Sequence, residues 1–289
     1  MLYLSEFSFP EREKESSFFL SVKRTCYDSY YPFQVLCRPG LETLRFEPMT
    51  ILYGGNGSGK TNALNVMAEA LGAKREAPYN RSSFFPDYLE LCRAQLTGET
   101  PEEIRIITSD DVFDFMLSLR RINEGIDEKR EELFDEYLIN KRARFQLQSM
   151  EDYDQLKKIV SARRRTQSRY VRENLMDKVR EHSNGESAFR CFTERIRENG
   201  LYLLDEPENS LSAARQRELA HWLEDSVRFF GCQFIIATHS PFLLAARDAR
   251  IYDLDREPVE ECPWTELEAI RVYRDFFAEH EEELGRSGK

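Results

Sequence analysis

A lysine and a threonine behind a run of glycines, and two adjacent carboxylates far downstream, are the residues of this chain whose types and spacing point to chemistry. The first set is Gly54, Gly55, Asn56, Gly57, Ser58, Gly59, Lys60 and Thr61, with the phosphate-loop spacing G-x-x-x-x-G-K-[ST]. Glycines let the backbone turn so that its N–H groups converge on a polyphosphate. Lys60 supplies a point charge for the β- and γ-phosphates, and Thr61 a hydroxyl for Mg²⁺. Asn62 opens the stretch N-A-L-N-V-M-A-E-A, a good helix whose N-terminus faces the anion. The second set is Asp205 and Glu206, which end the apolar run Leu201 to Leu204. That run reads as a strand buried on both faces of a parallel sheet, and ligands bind at the carboxyl ends of such strands. Asp205 is placed to hold the magnesium through its water shell. Glu206, pointing elsewhere, is a candidate base for the attacking water. Phe234 to Ala237 is a further buried strand, followed by Thr238, His239, Ser240 and Pro241, so that His239 is a candidate to sense the γ-phosphate.

These groups need a sheet, and the chain supplies its strands in order. The apolar residues before Gly54 make the phosphate-loop strand, and Ile104 to Thr108 and Ile251 to Leu254 make others. Met1 to Phe9 reads as a first strand, Glu11 to Ser17 as a polar turn and Phe18 to Lys23 as a second strand. Tyr27, Tyr30, Tyr31 and Phe33 read as core aromatics of a small antiparallel sheet, with base stacking the alternative. Ala77 to Tyr88 reads as a loop, and Ser109 with Asp110 as a cap for a long helical stretch. Within that stretch Leu133, Phe134, Tyr137 and Leu138 form one stripe. Leu156, Ile159 and Val160 start another that Val171, Leu175 and Val179 continue, and a capping-box spacing at Ser149 to Asp152 separates the two. The expectation is one domain, 1–289, with a helical insertion over 109–181. Trp264 to Glu283 reads as a C-terminal helix.

With 289 residues, 41% apolar and 32% charged, the chain is globular rather than disordered, and no apolar run reaches membrane-span length. Glu6, Glu11, Arg12 and Glu13 are unlike a signal peptide, so the expected location is cytoplasmic. Six cysteines without a C-x-x-C pair suggest reduced, mostly buried thiols rather than zinc ligands or disulfides. A net charge of −11 excludes a generally basic nucleic-acid binder. Yet between Lys141 and Arg172 ten basic residues face three acids. That stretch is either a solvated helix face or a contact for phosphate backbones or acidic protein.

Taken together, the motifs resemble those of the ABC-class P-loop ATPases, the group that includes transporter motors, SMC proteins and DNA-repair ATPases. Gly54 to Thr61 matches the Walker A motif, Leu201 to Glu206 the Walker B motif with its catalytic Glu, and His239 the switch histidine. Ser183, Asn184, Gly185 and Glu186 resemble the signature motif L-S-G-G-Q, with His182 in place of the leucine and Asn184 in place of the first glycine. Pro207 to Ser212 resembles the D-loop, with Ser212 where Asp is usual, and no glutamine is assigned to the Q-loop between Tyr79 and Asp111. T-S-D-D-V-F-D, N-G-E-S-A-F and D-E-P-E-N-S-L-S resemble a family of compact bacterial ATPases over most of the chain.

The resemblance implies an α/β fold: a mostly parallel central sheet, a small N-terminal antiparallel sheet and the helical insertion. It implies ATP and Mg²⁺ as ligands, Thr61 and Asp205 at the metal, and Lys60, Glu206 and His239 in hydrolysis. It also implies an ATP-dependent homodimer in which Ser183 and Gly185 of one subunit approach the γ-phosphate held by Lys60 of the other. Nucleic acid in repair or defence, reached through the basic stretch, is the expected target. A transporter motor and a nucleotide-gated module with negligible turnover are the alternatives. A GTPase is disfavoured, since Asn140 and Lys141 are followed by Arg142 and Ala143 rather than completing N-K-x-D.

Overall fold

The computed structural model of the chain describes residues 1–23, 26–27, 29–37, 41–143, 153–175 and 184–286. In chain order the elements begin with β1 (Leu4–Ser8), α1 (Arg12–Ser21), β2 (Thr43–Arg45), β3 (Met49–Tyr53) and α2 (Lys60–Ala70). Then come α3 (Phe85–Leu91), β4 (Arg93–Leu96), β5 (Glu103–Thr108), α4 (Ser109–Arg142), α5 (Tyr153–Arg164), α6 (Gln167–Asn174) and α7 (Asn184–Arg195). The remainder is β6 (Gly200–Asp205), α8 (Ala213–Phe229), β7 (Gln233–Ala237), α9 (Pro241–Leu244), β8 (Arg250–Asp253), β9 (Glu260–Glu261), α10 (Glu268–Glu279) and α11 (Glu281–Arg286).

The fold is α/β, as the motifs imply. A six-stranded sheet runs in the order β5-β6-β7-β3-β8-β9, parallel throughout except for β9. Every residue of β3, β6 and β7 is buried, which is why these strands read as unbroken apolar runs in the sequence. A three-stranded antiparallel sheet, β2-β1-β4, stands beside it. Gln233, fully buried at the start of β7, links the two sheets. Its Oε1 accepts from the main-chain N of Tyr3 at 2.7 Å and of Leu4 at 2.9 Å, and its Nε2 donates to Leu4 O at 2.8 Å. Gln233→Leu strands both amides in the core and is expected to lower stability by about 2–4 kcal/mol in urea unfolding.

The compact units are two: Met1–Phe113 together with Asn184–Lys289, and Asp114–Ser183. The second has its own small core of Leu133, Tyr137, Ala162, Tyr170 and Val171, with Phe134 and Leu175 packed on it. Of the predicted stripes this core takes Leu133, Phe134, Tyr137, Val171 and Leu175. It does not include Leu156, Ile159 or Val160, of which Ile159 is buried and Val160 exposed. Leu138 is exposed too, and Val179 lies outside the described residues along with Ser149 to Asp152.

Five local expectations are corrected. Glu11 to Ser17 is not a turn, nor Phe18 to Lys23 a strand: most of both belongs to α1. The helix wins because it aims neighbouring rings at one aromatic cluster, Phe18 stacking on Phe33 (centroids 4.3 Å apart) and Phe19 meeting Tyr30 edge-on (5.3 Å). It also buries Glu15, whose Oε2 accepts from Gln34 N at 2.8 Å and whose pKa burial raises. The stretch Ala77 to Tyr88 is not all loop, since α3 starts at Phe85 with Pro86 in its first turn. The cap of α4 is Thr108, not Ser109 and Asp110: Thr108 Oγ1 accepts from Asp111 N at 3.3 Å while the Asp111 carboxylate accepts from Thr108 N at 2.7 Å. The C-terminal segment is not one helix. It divides into a 3₁₀ turn at Trp264–Glu266, then α10 and α11.

Candidate functional site

The phosphate loop leaves the carboxyl end of β3 and turns into α2. Gly57 (φ +82°) and Gly59 (φ +98°) adopt left-handed backbone, where a side chain is strained. The Ser58 hydroxyl is buried with no partner among the described residues. Lys60 is the first residue of α2, and its ammonium is turned onto the loop itself, donating to Gly54 O at 2.6 Å and Gly55 O at 3.0 Å. Burial lowers its pKa, against the pull of the Glu206, Asp255, Asp205 and Glu208 carboxylates. A phosphate would exchange these carbonyl contacts for charged oxygens.

Strand β7 lies between β3 and β6, so Thr61, Asp205 and His239 come from neighbouring strand ends although about 180 residues separate the first from the last. Thr61 Oγ1 donates to Asp205 Oδ1 at 3.1 Å. Burial pushes the Asp205 carboxyl up to about 6, helped by Glu206 and Glu208 and opposed by the Thr61 hydroxyl and Lys60. A hydroxyl and a buried carboxylate are hard oxygen ligands of the kind Mg²⁺ takes, and a dication there would favour the charged form of Asp205. The pair therefore fits the metal that the motif implies. Beside it opens a polar cleft of about 310 Å³, lined by Thr61, Asn62, Asn65, Asn80, Ser109, Asp110 and Asp205 among others.

Glu206 follows with φ +47°, an unusual conformation for a non-glycine residue and one that functional sites often hold. Its Oε1 lies 3.6 Å from His239 Nε2, which has no hydrogen-bond partner among the described residues. The base and the histidine predicted from separate strand ends are thus neighbours.

The predicted signature residues divide. Ser183 lies outside the described residues, and so does the side chain of Asn184. Gly185 sits at the start of α7 beside Ser210 and Arg215, and Glu186 pairs with Arg215 at 3.3 Å. Ser212, where the resembled D-loop has Asp, caps α8 by accepting from Arg215 N. Of the upstream aromatics, Tyr27, Tyr30 and Phe33 pack in the cluster with Phe84 and Tyr88. Tyr31 instead donates its hydroxyl to Asn62 Oδ1 at 2.8 Å, next to the loop helix.

Three residues of the site escape the sequence reading. Asp255 Oδ2 accepts from Gly55 N at 2.6 Å, bracing the loop from two residues beyond β8. The rule that picks out Asp205, an acid at the end of a buried strand, also picks out this one. Glu208 and Asn209 touch His239 and Glu206 respectively; both lie in the stretch Pro207 to Ser212 that resembles the D-loop, but nothing in their spacing names these partners.

Among the described residues no helix is long and apolar enough to cross a membrane, and no cluster of His, Cys, Asp or Glu could hold a metal by itself. The cysteines are free, with Cys191, Cys232 and Cys262 buried and Cys26 exposed.

A comparison with curated proteins finds no match. Among solved structures, the chain is similar to the Smc head domain with an extended coiled coil bound to the C-terminal domain of ScpA from Pyrococcus furiosus. The identity is 13% and the TM-score 0.42, over 96% of this chain and 100% of that one. It is similar to the SMC head domain from Thermotoga maritima at 14% identity and TM-score 0.37, over 86% and 94% of the two chains. It is also similar to a nucleotide-free ATP-binding cassette from an ABC transporter at 14% identity and TM-score 0.40, over 88% and 87%. Residues 117–245 match the family model described as "AAA domain, putative AbiEii toxin, Type IV TA system", a span that begins after the phosphate loop and includes Asp205, Glu206 and His239. Over residues 117–245 the chain is therefore similar to that AAA-domain family, and the glycine-rich loop stands on the strand that neighbours β7 in the same sheet.

Proposed function

We propose that this chain hydrolyses ATP with Mg²⁺ in a two-subunit sandwich, as one ATPase domain into which the helices of 109–181 are inserted. The observation that supports this best is the meeting of Lys60, the Thr61–Asp205 pair and the Glu206–His239 pair at the carboxyl ends of β3, β6 and β7. Phosphoryl transfer asks for positioning and charge stabilisation more than covalent help, and each group has such a task. The loop amides and Lys60 hold the β- and γ-phosphates. Thr61 and Asp205 would hold Mg²⁺, which when bound would supply charge neutralisation at those phosphates. Glu206 accepts a hydrogen bond from the attacking water, and His239, whose buried Nε2 lies 3.6 Å from the Glu206 carboxylate without a hydrogen-bond partner among the described residues, would turn to the γ-phosphate. In the sandwich Ser183, Asn184, Gly185 and Glu186 of one subunit would face the nucleotide of the other. Phosphate release at saturating Mg·ATP tests the reading. Binding without release would make the chain a nucleotide-gated module, and release unaffected by chelating Mg²⁺ would remove the metal from the mechanism.

The output proposed is motion transmitted to nucleic acid through the basic stretch, in repair or in defence, and what supports it is the excess of Lys and Arg between Lys141 and Arg172. Several of its cations are already engaged, Lys158 with Glu136 at 2.8 Å and Arg169 with Glu173 at 2.9 Å, but exposed pairs of this kind are weak and exchangeable. Arg163 and Arg164 are exposed. Changing Arg163, Arg164 and Arg165 together to Glu is expected to weaken duplex DNA binding and to flatten the slope of log K against log salt by roughly 2–3. Titration at several salt concentrations measures this, and a wild-type chain that ignores DNA at low salt returns the stretch to a solvated face.

A further inference from the structure

The turn after β6 holds two polar side chains that the reaction itself does not call for. Glu206 N donates to Ala237 O at 2.9 Å, which ties the turn to the end of β7, and Asn209 N closes it by donating to Glu206 O at 3.1 Å. Within this frame Asn209 Nδ2 donates to Glu206 Oε2 at 3.0 Å, so one oxygen of the carboxylate is engaged and the other, Oε1, is left toward His239. Glu208 reaches to the other partner. Its Oε1 accepts from the main-chain N of His239 at 2.6 Å and of Ser240 at 3.1 Å. From α8, Gln216 fastens the turn to the same strand end, donating to Leu211 O at 3.0 Å and accepting from the Ser240 hydroxyl at 2.9 Å.

A glutamate side chain has three rotatable bonds that set its carboxylate oxygens, and a histidine ring has two. Held by nothing, the pair would sample many separations, and misplacement by about 1 Å costs a reaction roughly 100-fold. We propose that Glu208 and Asn209 are positioning residues that fix the spacing of the Glu206 carboxylate and the His239 ring, Asn209 through the side chain of Glu206 and Glu208 through the backbone of His239. The inference rests on Glu206 being the base. Neither residue touches the reacting atoms, so both act on turnover and neither on ATP binding.

The test is steady-state hydrolysis of Mg·ATP by the full chain, with the thermal midpoint recorded for every variant. Asn209→Ala is expected to lower kcat roughly 10- to 100-fold with KM within about twofold of wild type. Asn209→Asp keeps the shape but removes the donor, and should fall at least as far; a role in packing alone would spare it. In the Glu206→Gln background Asn209→Ala should bring no further loss, since its effect passes through the carboxylate that is already gone. Glu208→Ala should lower kcat and Glu208→Gln, which keeps an accepting oxygen, should restore most of it. Wild-type kcat in both Asn209 variants overturns the proposal, as does an Asn209→Ala loss of equal size with or without Glu206. A Glu206→Gln chain that turns over normally overturns the assignment of the base, and the bracket with it.

Discussion

Glu206→Gln is expected to reduce ATP hydrolysis by a factor of roughly 10² to 10⁴, the usual contribution of a positioned base, while ATP still binds. The substitution keeps the size of the side chain and an oxygen that can accept, so contact with Asn209 survives, but the amide takes up no proton. Because nucleotide that is not consumed stabilises whichever state binds it better, the trapped ATP should hold two chains together. Light scattering after gel filtration is expected to find a monomer without nucleotide and a dimer with Mg·ATP, and a further Ser183→Arg change should return the monomer. Hydrolysis at the wild-type rate would sink the role of Glu206. A mutant that stays monomeric in saturating Mg·ATP would count against the sandwich and its signature residues together.

Lys60→Ala is the second large effect. A charge-assisted contact with phosphate is worth roughly 2–3 kcal/mol, so Mg·ATP affinity should fall about 30- to 150-fold in isothermal titration. The lysine is 5% exposed, buried at the head of α2 rather than waving in the loop, and its charge is carried in the free chain by two carbonyls of that loop. Removing it deletes a desolvated cation and its two hydrogen bonds together, so the fold should survive, with an unchanged far-UV spectrum as the check. Unchanged affinity for ATP would remove the phosphate-loop assignment.

The phosphate loop, Asp205 and the runs behind them were legible in the sequence because their causes are local. Left-handed turns at Gly57 and Gly59 demand glycine, and strands buried on both faces demand unbroken apolar runs, so residue types at short spacing report on them directly. Helices over 109–174 declared themselves by period in the same way. Tertiary structure decided whatever depended on a partner distant in the chain. Phe18 and Phe19 suit a strand as well as a helix until Phe33, Tyr30 and Phe84 are set around them, and the packing then chooses the helix. Asp255 braces Gly55 across 200 residues, and Glu208 reaches His239 across 31, because parallel strands bring their carboxyl ends side by side whatever their order in the chain. Thr61 meets Asp205, and Glu206 meets His239, for the same reason: local sequence fixes which groups stand at the end of each strand, while the pairing order of the strands, set by non-local burial, fixes which of those groups face one another.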